Sequence, residues 1–106
     1  QPTSRPTVKR TGCVEGSCKN GFGIAVNTKT YERYEGNWNN GRRSGYGIEF
    51  YPDEIKKFEG NFSGSVYHGF GTYFYRNGDK YVGNFKKGTP HGDNGIFYYR
   101  NGNRLN

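Results

Sequence analysis

Glycine recurs at one fixed interval along this chain. Gly23, Gly47, Gly71 and Gly95 are each 24 residues apart, and Gly21, Gly45 and Gly69 stand two positions before the first three. A phase kept through four copies means a repeat array, in which each short unit buries its apolar face against its neighbours. Other columns follow the same step: Phe22, Tyr46 and Phe70; Val26, Phe50, Phe74 and Tyr98; Tyr51, Tyr75 and Tyr99. Upstream of the glycine pairs lies an aromatic-x-Gly column, Tyr34-Glu35-Gly36, Phe58-Glu59-Gly60 and Tyr81-Val82-Gly83. Each is followed by a second aromatic residue, Trp38, Phe62 or Phe85.

Each unit divides into two short alternating segments joined by turn residues, the pattern of a β-hairpin. Tyr34, Gly36 and Trp38 fall on one face of a strand because side chains alternate with period two, as do Tyr46, Ile48 and Phe50 on the next. Asn39-Asn40-Gly41-Arg42-Arg43 joins the two strands, and Arg76-Asn77-Gly78-Asp79 and Arg100-Asn101-Gly102-Asn103 join successive units. Asn-Gly suits tight hairpin turns, whose central residues need positive φ. Pro52-Asp53-Glu54 is expected to form a turn of another type. The 106 residues include 18 Gly, no Met and one Leu, which argues against helices. Ten Tyr, eight Phe and one Trp supply the missing apolar area, so the chain can still fold. The fold class expected is all-β, with the strand glycines leaving room for an aromatic ring from the adjacent hairpin to lie over the backbone.

Tyr34-Glu35-Gly36-Asn37-Trp38-Asn39-Asn40-Gly41-Arg42-Arg43-Ser44-Gly45-Tyr46-Gly47 resembles the opening of a MORN (membrane occupation and recognition nexus) repeat, with its Y-x-G-x-W/F, N-G and G-x-G elements. Residues 58–80 and 81–104 resemble further copies, and residues 10–33 an atypical first one. The units are thus placed at about 10–33, 34–57, 58–80 and 81–104, after a linker-like segment at 1–9. Two departures stand out: Ser63-Gly64-Ser65-Val66-Tyr67, read as a turn one residue longer, and Gly92-Asp93-Asn94-Gly95, an insertion in the last G-x-G. The resemblance implies an elongated single-layer antiparallel sheet of consecutive hairpins. It implies protein–protein contact, self-association or binding of acidic phospholipids, with no catalysis and no cofactor.

Aligned on the repeat, Gly12-Cys13-Val14 falls on Gly36-Asn37-Trp38, so Cys13 and Cys18 flank the first turn and are expected to pair. A disulfide there implies an oxidising, extracytoplasmic compartment. A chain beginning at Gln1 further suggests a removed N-terminal segment, of which a signal is one candidate. His68 and His91 invite comparison with a zinc site or a small basic ribonuclease. Their spacing does not suit zinc, and both stand at the polar position before a repeat glycine, so no catalytic or metal-binding residue is expected.

Sixteen Lys and Arg against nine Asp and Glu give a net charge of +7, which favours anionic partners. Arg42, Arg43, Lys56, Lys57, Lys86 and Lys87 are the candidate anionic-surface residues. Tyr51, Tyr75 and Tyr99, with Tyr34, Phe58 and Tyr81, are the candidate aromatic binding stripe. A protein partner ranks first and an acidic phospholipid surface second. A glycan or cell-wall ligand is the alternative from another class, and nucleic acid has only charge in its favour. The open sheet edge near Arg104 and Leu105 suggests end-to-end self-association.

Overall fold

The computed structural model describes residues 10–105, so the linker expected over 1–9 lies outside the described residues. Nine strands follow in chain order: β1 (Gly12–Gly16), β2 (Gly21–Val26), β3 (Arg33–Asn39), β4 (Arg42–Phe50), β5 (Lys56–Ser63), β6 (Val66–Phe74), β7 (Lys80–Lys86), β8 (Thr89–Tyr98) and β9 (Arg104–Leu105). They form one antiparallel sheet in which spatial order equals sequence order. The expected single-layer hairpin array is therefore what this chain adopts.

One face of the layer carries the core. Tyr34 and Phe58 are wholly buried, Phe62 and Phe85 nearly so, and Trp38, Tyr67, Tyr73 and Tyr81 pack around them. The rings meet edge to face in an unbroken zigzag. Trp38 meets Tyr34 at 5.2 Å between centroids, Tyr34 meets Phe62 at 5.0 Å and Phe62 meets Phe58 at 5.2 Å. Phe58 then meets Phe85 at 5.1 Å, and Phe85 meets Tyr81 at 5.4 Å. Edge-to-face pairs of this kind add about 0.5–1.5 kcal/mol beyond burial, so a sheet with no second layer holds itself together through its own rings.

The two glycines of each pair do different work. A Cβ on Gly47 would lie 2.3 Å from the Tyr34 hydroxyl oxygen, and one on Gly71 would lie 2.4 Å from Phe58 Cζ. The ring over each glycine therefore belongs to the same hairpin, not to the adjacent one as expected from sequence. Gly45 has no such neighbour; its φ of +77° is what requires glycine. That residue sits in a bulge, where β4 has three residues between Arg43 and Gly47 against one on β3 between Gly36 and Trp38. In the fourth hairpin the insertion widens this bulge: Val82 and Asn84 face Ile96 and His91. Both roles survive, Gly92 having φ +89° and Gly95 lying under the Tyr81 ring.

Three of the four intra-hairpin turns are alike. Asn40-Gly41, Gly64-Ser65 and Lys87-Gly88 all have positive φ at both central residues. The turn at Ser63–Tyr67 is thus not longer than its counterparts, correcting the sequence reading. Of the four links that follow a hairpin, the last three share one geometry, whereas the first closes through Tyr31 N–H to the Asn27 carbonyl at 2.9 Å. Gly78 N–H donates to the Tyr75 carbonyl at 3.0 Å and Glu54 N–H donates to that of Tyr51 at 2.9 Å. Gly78 and Glu54 both have positive φ, so the Pro52 link matches the Asn-Gly links and Asn77-Gly78 is not a two-residue hairpin turn.

The first hairpin departs from the alignment. Gly16, not Gly12, faces Gly23, as Gly36 faces Gly47. Cys13 and Cys18 form a disulfide with Cα atoms 5.8 Å apart, a pairing compatible with an extracytoplasmic setting. It holds Ser17 against the backbone: a Cβ on Gly23 would meet the Ser17 carbonyl oxygen at 2.4 Å. The disulfide loop thus occupies the place that an aromatic ring takes over Gly47 and Gly71.

Candidate binding surfaces

The six candidate cations divide into two groups. Arg43 lies on the core face, its guanidinium carbon 4.7 Å from the centroid of the Tyr34 ring and its Nη1 2.8 Å from Glu49 Oε2. The Tyr67 hydroxyl donates to the other Glu49 oxygen at 2.6 Å. Burial pushes the Tyr34 hydroxyl up to about 12, against the opposing pull of Arg43, and the hydroxyl donates to the Asn37 carbonyl at 2.8 Å. Burial, then Glu49, pushes Tyr67 further up. Lys57 bonds to Glu32 at 2.9 Å; burial lowers its pKa, but Glu32 and neighbouring Glu49 raise it overall. Lys56 pairs with Glu59 at 3.0 Å. Arg43, Lys56 and Lys57 therefore each have a carboxylate partner within the fold.

Arg42, Lys86 and Lys87 are exposed and, among the described residues, have no carboxylate partner. Lys19, which the sequence reading did not single out, shares that condition. All four lie at one end of the sheet, where the hairpin turns stack. Gly41 N–H donates to the Lys19 carbonyl, Ser65 N–H to that of Arg43 and Gly88 N–H to that of Tyr67, each at 3.0 Å. At the opposite end Arg33 bonds to Glu54, Arg76 to Asp53 at 2.6 Å, and Asp79 accepts the Arg100 backbone N–H at 2.9 Å, while the Lys29 and Arg100 side chains are exposed and, among the described residues, have no carboxylate partner. The Arg76 contact holds the Asp53 carboxyl below its ordinary range.

Burial splits the aromatic stripe as well. Tyr34, Phe58 and Tyr51 are buried and form part of the interior, Tyr81 is half-buried, and only Tyr75 and Tyr99 are exposed. Tyr51 is covered because the next link folds over it: Arg76 lies 4.6 Å from its ring centroid, and its hydroxyl donates to the Phe74 carbonyl at 2.8 Å. The exposed aromatic row is a different column. Phe22, Tyr46 and Phe70, the middle residues of the glycine pairs, are 55%, 50% and 58% exposed on the outer face. Their register partners on the next strand are Asn37, Asn61 and Asn84, so rings alternate with amides across the sheet. The 24-residue step had already put these rings in one column; alternation alone could not say which face acquires covering neighbours.

Two recesses complete the surface. A polar cleft of about 470 Å³ between the second and third hairpin turns is lined by Asn39, Asn40, Arg42, Ser44, Ser63 and Gly64. A smaller recess of about 140 Å³ is bounded by Tyr73, Tyr75, Tyr81, Phe85, Gly88 and Pro90. His68 and His91 are exposed at equivalent positions of successive hairpins, two strand spacings or roughly 10 Å apart. Among the described residues no cluster of His, Cys, Asp or Glu could hold a metal ion, and no helix is long and apolar enough to cross a membrane.

No curated protein matches the chain significantly. The MORN repeat family model matches residues 34–54, 58–80 and 81–104, well over half of the sequence. Those three stretches coincide with the second, third and fourth hairpins, and the unmatched first hairpin continues the same sheet with its disulfide in place of a ring. The chain belongs to the MORN repeat family.

Proposed function

We propose that this array is a non-catalytic binding module, working outside the cytoplasm, that docks an acidic protein through its outer face and its turn edge. The observation that carries the reading is the alignment of half-exposed Phe22, Tyr46 and Phe70 with interleaved amides, beside an edge bearing Lys19, Arg42, Lys86 and Lys87. Rings supply desolvated contact area, amides supply hydrogen bonds, and the cations steer an acidic partner.

A photo-crosslinking residue placed at Phe70 in the native cells tests this. A discrete protein adduct, reduced by Arg42→Glu with Lys87→Glu, is the expected result. An anionic phospholipid surface is the second reading, supported by the same exposed cations, since each near a charged membrane contributes about 1 kcal/mol. Salt-sensitive flotation with anionic vesicles and no protein adduct would replace the first reading with the second.

A further inference from the structure

One register position on the core face differs between hairpins in a way that identifies a ligand. Arg43 faces Trp38, Tyr67 faces Phe62 and Pro90 faces Phe85. In the second hairpin, the Arg43 guanidinium covers the Tyr34 ring. In the third, the Tyr67 ring stacks on Phe58 with centroids 4.0 Å apart and planes 13° from parallel. In the fourth, proline is too short to cover Tyr81, and the 140 Å³ recess opens there instead. A cavity of about 150 Å³ lined by apolar side chains holds a benzene ring, so the recess has the size of one aromatic side chain.

The fold itself displays two occupants of this position, a cation and a phenol ring. The cation is matched by a carboxylate, Arg43 reaching Glu49 at 2.8 Å. The residues that take the place of Glu49 in the third and fourth hairpins are Tyr73 and Phe97, neither charged, and Tyr73 lines the recess. Lys86 and Lys87 directly precede Gly88 at the rim, on a chain of net charge +7. A cationic ligand would meet repulsion there, whereas a neutral ring flanked by carboxylates would meet attraction.

We infer that the recess over Tyr81 accepts a tyrosine or phenylalanine side chain from an acidic segment of a partner protein. The ring stacks on Tyr81 as Tyr67 stacks on Phe58, bounded by Phe85, Tyr73, Tyr75 and Pro90, and the flanking carboxylates face Lys86 and Lys87. The inference rests on reading the array as a protein-binding module, but it concerns the core face, not the outer one.

The test is an NMR titration of the chain with acetyl-Asp-Tyr-Asp-amide. Shifts confined to Gly88, Tyr81 and their neighbours are expected, with binding weaker by about tenfold for the Asp-Leu-Asp and Lys-Tyr-Lys peptides. Pro90→Tyr supplies the missing ring from within the chain and is expected to abolish those shifts while raising the melting temperature. Pro90→Ala is the companion variant, which keeps the recess open and is expected to keep binding. Shifts that persist in Pro90→Tyr, equal binding of all three peptides, or preferential binding of tetramethylammonium would overturn the inference. Because the peptide is defined and the readout is local, failure here and failure of the outer-face crosslink are separate results.

Discussion

Gly45 and Gly47 are chemically identical and two positions apart, yet they answer to different constraints. Gly47 lies under the Tyr34 ring, where a methyl group would fall 2.3 Å from the hydroxyl oxygen, and Gly45 has an open neighbourhood but a φ of +77°. Gly47→Ala should therefore cost about 3 kcal/mol, at the upper end for overpacking, because the ring it displaces is locked by its neighbours. Gly45→Ala should cost about 1–2 kcal/mol from backbone strain alone, with Gly45→Asn cheaper still. Urea unfolding of the three variants checks the ranking; equal losses at the two positions would contradict it. Sequence periodicity located both glycines and expected both to leave room for a ring, a role that only Gly47 has. It did not reveal which hairpin donates the ring, because Tyr34 and Phe58 occupy equivalent columns and either could serve.

Hairpins are the elements of this molecule, and the first is built differently from the rest. Its disulfide closes a loop of six residues and keeps Ser17 over Gly23, so its stability depends on a covalent link where the others depend on a ring. Chain entropy puts the contribution at about 2 kcal/mol. Reduction should thus raise amide hydrogen exchange in β1 and β2 while leaving β5 and β6 protected, since neighbouring repeats in an array can open separately. Uniform loss of protection would mean that the array unfolds as one unit. The cysteine pair was legible from spacing, but its register was not. Gly12 looked equivalent to Gly36 because both precede an x-aromatic or x-aliphatic pair, whereas the shorter loop draws Gly16 into that place.

For the whole molecule, tyrosine is both the structural material and the pH limit. Tyr34, Tyr51 and Tyr67 have their pKa values raised, in each case chiefly by burial. A raised folded-state value means stability that is fully present below the unfolded pKa of about 10 and is lost as pH rises through the folded one. For Tyr34 that upper bound is about 12. Thermal midpoints should therefore hold near neutrality and fall across this alkaline window, with tyrosinate absorbance rising in step with unfolding. On the acid side Glu59 is held low by the Tyr46 hydroxyl and then by Lys56, so its smaller contribution is present above its ordinary value of 4.5 and lost as pH falls. The partial exposure of that pair keeps the effect slight. The repeat made the array legible at this scale, whereas the sorting of cations into engaged and free ones depends on which carboxylates the folded strands bring within reach.

The turns stack by one backbone-to-backbone hydrogen bond each, and in the ladder every strand is hydrogen-bonded only to the strands before and after it in sequence. β1 and β9 stand at opposite ends of that order, so tension applied between them would load the ladder across its strands instead of along them. Bonds loaded this way break in succession, not all at once. Such a molecule would pay out its length hairpin by hairpin under weak pull, an extensible tether whose slack is stored in the fold.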